Sequence, residues 1–139
     1  MASGFYQHGM KHFARGNFLW LASGGSAFRA ALVDTADYTV DLANHEFRDA
    51  TGLAAGIEEI SANMTLVDAA VNGVVDASDV TLLGTAGDTC EGVLVYQNVG
   101  TAATDRLAFW WDSGSGLPVT LGGDVTIVWD NGANKIASI

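Results

Sequence analysis

The sequence predicts a mainly β protein, an antiparallel β-sandwich or barrel with a short N-terminal helix and one further short helix. Three observations predict this class. From Ser61 onward, short apolar or alternating runs recur between turn residues. Asn-Gly pairs, which favour the turns of β-hairpins, occur at 72–73 and 131–132. The 139 residues, 49% of them hydrophobic, suffice for one packed domain, which Cys90 as the single cysteine cannot staple internally.

The N-terminal helix is predicted between residues 5 and 17. Tyr6, Met10 and Phe13 are spaced to share one helical face. Gly9 lowers the intrinsic stability of such a helix by about 1 kcal/mol relative to alanine. The helix therefore needs another surface to pack against.

The single domain, residues 1–139, divides into a helical arm at 1–20 and a β-rich body at 28–139. The run 28–34 is apolar on both faces and predicts a central strand. Residues 37–50 predict a helix of one to two turns through Leu42, Phe47 and Ala50. Further strands are predicted at 64–67, 80–83, 92–99, 107–111, 125–129 and 135–139, with a hairpin turn at 71–74.

An aromatic run marks the strand predicted at 107–111. Alternation sends Phe109 and Trp111 to one face and Trp110 to the other, so both faces need a cover. One cover is the sandwich core. The other is either more core or a neighbouring subunit, because large aromatic side chains are enriched in interfaces.

The charge distribution excludes some partners. Six basic and 16 acidic side chains give a net charge of −10, which repels nucleic acid and anionic membrane surfaces. Residues 1–48 hold four side chains of each sign, so the net negative charge falls on residues 49–139. We find no apolar stretch of membrane-spanning length and no secretion signal, so we expect maturation inside a cell.

Two segments resemble the active-site segments of retroviral-type aspartic proteases. One is Asp34-Thr35-Ala36 after an apolar run, and the other is Asp112-Ser113-Gly114 after two tryptophans. In that family two carboxylates share one proton. Here Ala36 replaces the glycine that shapes the loop, so we favour a strand end and a Gly-Ser loop over a hydrolase, and we predict no enzyme activity.

Other chemistry-bearing residues are weaker candidates. His8 and His12 are spaced as a metal-binding helical pair, but they lack enough further ligands. Cys90 lies beside acidic residues, which blunt its reactivity, and predicts a small buried side chain. Asp76 and Asp79 suit a solvated turn better than a calcium loop. We expect no metal and no cofactor.

Nearly the whole chain resembles a family of small structural proteins of tailed bacteriophages. The segments that carry the resemblance follow the N-terminal helix in the order Arg29 to Tyr38, His45 to Phe47, Asp76 to Thr81, Gly92 to Thr101 and Gly123 to Asp130. The resemblance implies a virion component. Within the virion it suggests a capsid decoration, or cement, protein. The alternative is a tail or fibre component, which would bind glycans through exposed tryptophans.

For a decoration protein the expected partners are the major capsid protein and further copies of this chain, as a homotrimer. The expected location is the capsid exterior, after assembly in the host cytoplasm. We expect Phe5, Tyr6, Phe13 and Arg15 of the less acidic N-terminal part to contact the shell or a neighbouring subunit, and Trp110 to contact a neighbouring subunit. The alternative is that the helix covers the open end of its own sandwich.

Overall fold

The computed structural model describes residues 3–68, 74–114, 116–129 and 137–138. The elements are β1 (Gly4–Phe5), α1 (Gln7–Ala14), β2 (Phe28–Val33), α2 (Leu53–Gly56), β3 (Ile57–Ile60), β4 (Leu66–Val67), β5 (Val74–Ala77), β6 (Val80–Leu82), β7 (Gly92–Gln97), β8 (Arg106–Trp111), β9 (Val125–Ile127) and β10 (Ala137–Ser138). The strands pair antiparallel in the order β1-β8-β7-β2-β3 in one sheet, β10-β5-β4 in a second and β6-β9 in a third. The mainly β class with short helices is confirmed.

The five-stranded sheet is covered on both faces. Alternate residues of β2, β7 and β8 belong to two separate buried clusters, as expected for strands that are apolar on both sides. The first cluster joins the sheet to the residues of β4, β5 and β6, and includes Phe28, Leu32, Val95 and Phe109. The second joins it to the loop after β2, and includes Val33, Tyr38, Leu53, Leu94 and Trp110.

A β-bulge in β8 determines how the N-terminal segment meets the sheet. The pairing register between β7 and β8 shifts at Val95 and Tyr96, which leaves Ala108 as the extra residue. The Ala108 carbonyl accepts a hydrogen bond of 3.0 Å from the Tyr6 amide. β1 pairs with β8 on one side of the bulge, and residues 46–47 bond to it on the other. Helix α1 therefore begins at the bulge.

Gly9 is the contact point between α1 and this strand. A Cβ atom built at Gly9 would lie 2.8 Å from the Leu107 carbonyl oxygen and 3.0 Å from that of Ala108. The buried residues of the helix are Gly9 and His12, whereas Met10 is 51% exposed. Of the predicted face, Tyr6 and Phe13 do pack inward, but Met10 was placed wrongly, because the helix approaches the strand through Gly9, which has no side chain.

The helix predicted within residues 37–50 is also wrong. This stretch consists of turns and a single bridge to β8, and the short helix α2 follows it instead, after Gly52 at φ 82°. Backbone groups of the stretch bond elsewhere: the Leu42 carbonyl accepts from the Gln7 amide, and the Glu46 carbonyl accepts from the Leu107 amide. Because these carbonyl groups accept hydrogen bonds from other segments, they do not take part in the backbone hydrogen bonds of a helix.

Among the described residues, the predicted strands are confirmed within two residues of their bounds, but β1, β3 and β5 were not predicted. The hairpin turns proposed at Asn72-Gly73 and Asn131-Gly132 lie outside the described residues. The flanking strands β4 and β5 do pair antiparallel, with Leu66 opposite Ala77.

We expect Gly9→Ala to destabilise the protein by about 1–3 kcal/mol despite the higher helix propensity of alanine, because the new methyl group overlaps backbone carbonyls that cannot rotate away. The measurement is urea denaturation. Gln7→Ala, at an exposed position of the same helix, is the control and should change the free energy of unfolding by less than about 0.5 kcal/mol. Equal effects of the two substitutions would contradict the close approach.

Candidate functional site

The five residues predicted to make intermolecular contacts lie in three different environments. Tyr6 and Trp110 are fully buried, Phe5 and Phe13 are half-buried, and Arg15 is exposed just after α1. Tyr6 and Trp110 have no surface left for a partner, which corrects their assignment to an interface. The physical reason is that both rings are needed to cover the second face of the sheet.

Trp110 is enclosed by its own chain. Its ring lies directly over Gly92, where any side chain would overlap it, and its Nε1 donates to Asp112 Oδ2 at 2.9 Å. Tyr38 meets it edge to face, with ring centroids 5.6 Å apart. The sequence left two possibilities for this face of β8, more core or a neighbouring subunit. In the structure the face is covered by core residues of the same chain.

Phe5 and Phe13 belong to an aromatic cluster inside the sandwich. Their rings are 6.1 Å apart, and both contact Phe109. Phe13 also meets Phe18 edge to face at 5.0 Å. In this chain the helix thus covers the open end of its own sandwich, which is the alternative that the sequence left open.

Polar side chains fasten the same helix to the body, and we call this set the helix junction. Glu46, from the loop after β2, accepts hydrogen bonds from Lys11 Nζ at 3.2 Å and His12 Nε2 at 2.9 Å. Its second oxygen lies 3.4 Å from His8 Nδ1. The members of the helix junction are His8, Lys11, His12, Asn17, Glu46, Gln97 and Arg106.

A chain of hydrogen bonds continues from His12 into the sheet. The side-chain Nδ2 of Asn17 donates to His12 Nδ1 at 2.9 Å. Gln97 Nε2 donates to the backbone carbonyl oxygen of Asn17 at 3.0 Å. Arg106 Nη1 donates to Gln97 Oε1 at 2.8 Å. Arg106 Nε is buried and has no partner among the described residues. The junction therefore connects α1, the loop, β7 and β8.

These bonds define the protonation state of His12. Its Nε2–H donates to a carboxylate and its Nδ1 accepts from an amide, so the neutral ring satisfies both nitrogens. Burial lowers the pKa of His12, the bond to Glu46 opposes that shift, and Arg106 and Lys11 reinforce it. Partial burial of Glu46 disfavours its charge, but the bonds from Lys11 and His12 prevail and lower the pKa of that carboxyl.

A second polar chain lies beside the junction. The hydroxyl groups of Tyr6 and Tyr38 are 2.9 Å apart, and Tyr38 Oη lies 2.8 Å from His45 Nδ1. Burial is the main cause that raises the pKa of both tyrosines, that of Tyr38 to about 12. Both hydroxyls thus stay protonated and serve as hydrogen-bonding groups. His12 of α1 bonds to Glu46 of the loop, whereas His45 bonds to Tyr38 within the loop.

The candidate metal ligands have other roles or no further support. The rings of His8 and His12 are engaged with Lys11, Asn17 and Glu46 rather than open as a metal pair. Carboxylate oxygens of Asp34, Asp37 and Glu58 lie within 4.8 Å of one another. Asp34 Oδ1 already accepts from the Ala36 amide, and we assign no metal site to this cluster.

Asp34 and Asp112 stand at the same end of the sheet, after β2 and β8, with β7 between them. Two strand spacings separate their backbones by roughly 10 Å. Asp34 accepts from its own loop, and Asp112 accepts from Trp110 and Ser3. The described hydrogen bonds therefore do not form the shared-proton pair of an aspartic protease.

Cys90 is fully buried, as the sequence predicts. Burial, with the nearby carboxylates of Glu58 and Asp34 adding to it, raises the pKa of the thiol to about 12. Asp79, between β5 and β6, accepts from the Trp129 amide through Oδ1. Asp76 lies in β5 rather than in the predicted turn, and its Oδ1 accepts from the Ala77 amide.

A cleft of about 540 Å³ opens between β9 and the inner face of the large sheet. Trp111 and Trp129 line it, with ring centroids 5.5 Å apart. The other described side chains that line it are mostly aliphatic: Leu32, Val93, Leu117, Val119, Val125, Ile127 and Val128. The cleft thus offers indole faces and few polar partners.

Large apolar side chains also reach the surface. Met10, Leu19 and Leu21 are 51%, 48% and 44% exposed, and all belong to the electrically neutral part of the chain. Leu83 and Val128, at 75% and 65%, directly follow β6 and β9.

Comparison of the chain with models of protein families and with curated proteins gives no match. No helix among the described residues is both long enough and apolar enough to span a bilayer.

The junction could be found only in part from the sequence. The spacing of His8 and His12 is a recognisable signal, but their partner Glu46 lies 34 residues beyond His12 in an irregular loop. Tyr38 and Gln97 carry no local signal for their contacts with Tyr6 and Asn17.

We expect Tyr38→Phe to destabilise the protein by about 1–3 kcal/mol, because the buried Tyr6 hydroxyl loses its partner. Tyr6→Phe should lower the free energy of unfolding less in the Tyr38→Phe variant than in the unaltered chain, because the two hydroxyls are hydrogen-bonded to each other. Urea denaturation of the single and double variants measures this coupling. Strictly additive effects would contradict the hydrogen bond.

Proposed function

We propose that the chain is a structural component of a tailed-bacteriophage virion, a capsid decoration protein that binds the outside of the major capsid shell as a homotrimer. The sequence segments that resemble phage structural proteins support this role. The fold is compatible with it, because the described histidines and many carboxylates serve contacts within the chain. Such a body suits binding to neighbours rather than turnover.

The surface of the N-terminal segment is the observation that carries the proposal. Phe18 and Trp20 are buried in the sandwich, while the alternate residues Leu19 and Leu21 face solvent. The segment is thus held firmly by one side and presents apolar side chains on the other. Burial of such side chains against a partner is favourable, and a fixed support reduces the entropy lost on binding.

The charge distribution supports the same orientation. Residues 1–48 carry no net charge, whereas residues 49–139 carry −10. The neutral segment can approach the shell while the acidic body faces solvent and keeps dense copies soluble. The proposed contact residues become Met10, Arg15, Leu19 and Leu21, in place of the buried Tyr6 and Trp110.

The test uses purified capsids that lack this protein. We expect Leu19→Glu and Leu21→Glu to weaken co-sedimentation with the capsids by about ten-fold or more, because each places a charge in the contact. Leu83→Glu is the matched control, since Leu83 is more exposed but lies in the acidic part of the chain. It should bind within about two-fold of the unaltered protein.

Equal binding by all three variants would contradict the proposed contact surface, and no binding by the unaltered protein would contradict the decoration role. Light scattering from the protein in solution or cryo-EM of the decorated capsid tests the trimer. A monomer bound without symmetry-related copies would contradict it.

A glycan-binding tail or fibre component is the second candidate. The observation that favours it is the cleft in which Trp111 and Trp129 lie, because indole faces stack on sugar rings. A glycan array probed with the unaltered protein and with Trp111→Ala distinguishes it. Specific binding that Trp111→Ala abolishes would support the fibre role, and an array without signal would contradict it.

A further inference from the structure

The helix junction places several potentially cationic groups around a single carboxylate. Glu46 is approached by Lys11, His12 and His8, all from α1. Arg106 faces His12 from β8 and lowers its pKa, and Gln97, from β7, is neutral. With neutral histidines, Lys11 is the described cation that bonds to Glu46, and protonation of His12 adds a second one.

The hydrogen bonds oppose protonation of His12 as well. A proton on Nδ1 would turn that nitrogen into a donor facing the Asn17 amide, which also donates. The ring is nearly buried and packs against Phe18 at 5.5 Å, so water cannot easily replace the lost bond. Glu46 offsets part of this cost through its bond to Nε2.

From this geometry we propose that the helix junction is an acid-sensitive clasp, which holds α1 to the loop at neutral pH and loosens when His12 becomes protonated. The sheet keeps its own apolar contacts when the clasp loosens, because Phe28, Val95 and Phe109 are buried in the first cluster and are not members of the junction. The junction lies within one chain, so this response does not depend on the capsid partner.

The direction of the pH dependence follows from linkage. Burial lowers the pKa of His12 in the closed junction below the value of about 6.5 for free imidazole. The open state therefore binds protons more readily, and the closed state loses stability as the pH falls through about 6.5. Glu46 stays ionised in this range because its pKa is also lowered.

Hydrogen–deuterium exchange of the full chain tests the clasp. Between about pH 7.5 and 5.5, protection factors corrected for the intrinsic exchange rate should fall several-fold, up to a limit of about ten-fold, in α1, and less than two-fold in β7. His12→Gln keeps a donor toward Glu46 but cannot titrate, and it should abolish most of the fall. His45→Asn, which removes the histidine outside the junction, is the matched control and should retain it.

An equal fall in α1 and β7 would overturn the proposal, because it would indicate global unfolding. No fall in α1, or the same fall in His12→Gln, would overturn it as well. Should His12→Gln fail to fold, an NMR titration of the unaltered protein decides: a His12 pKa below about 6.5 supports the clasp, and a higher one overturns it.

Discussion

The structure depends on one constraint: strands β2, β7 and β8 are apolar on both faces, so the same chain must cover the sheet twice. The smaller sheets cover one face. Tyr38 from the loop after β2, Leu53 from α2 and Tyr6 cover the other. Burial of each large side chain contributes roughly 1.5–3 kcal/mol, so either cover contributes as much as a typical domain's whole stability.

The second cover explains the position of the N-terminal segment. Because β8 carries a bulge at Ala108, its edge is divided between β1 and residues 46–47, and α1 leaves at that point. The close approach through Gly9 brings the polar side of the helix next to Glu46. Packing, the buried polar junction and the exposed leucines of the neutral segment are thus consequences of the same arrangement.

Strand positions and the opposite faces of Phe109 and Trp110 were predictable, because a period of two is a local property of the sequence. The residues that cover Trp110 were not predictable, because Tyr38 lies in a loop without periodicity and Gly92 has no side chain to contribute to a hydrophobic pattern. The helix and the inward packing of Tyr6 and Phe13 were predicted, but its close contact through Gly9 was not. Hydrophobic spacing predicts that Met10 is buried. The helix instead contacts the sheet through Gly9, which packs against a bulge 99 residues further along the chain.

The most direct test of the account is the stability of a truncated chain that begins at Phe18. If residues 1–17 are part of the double cover, their removal deletes Tyr6 and Phe13 from the two cores, and thermal unfolding monitored by near-ultraviolet circular dichroism should lose its cooperative transition. A truncated chain that unfolds cooperatively at the same temperature as the full chain would contradict the account.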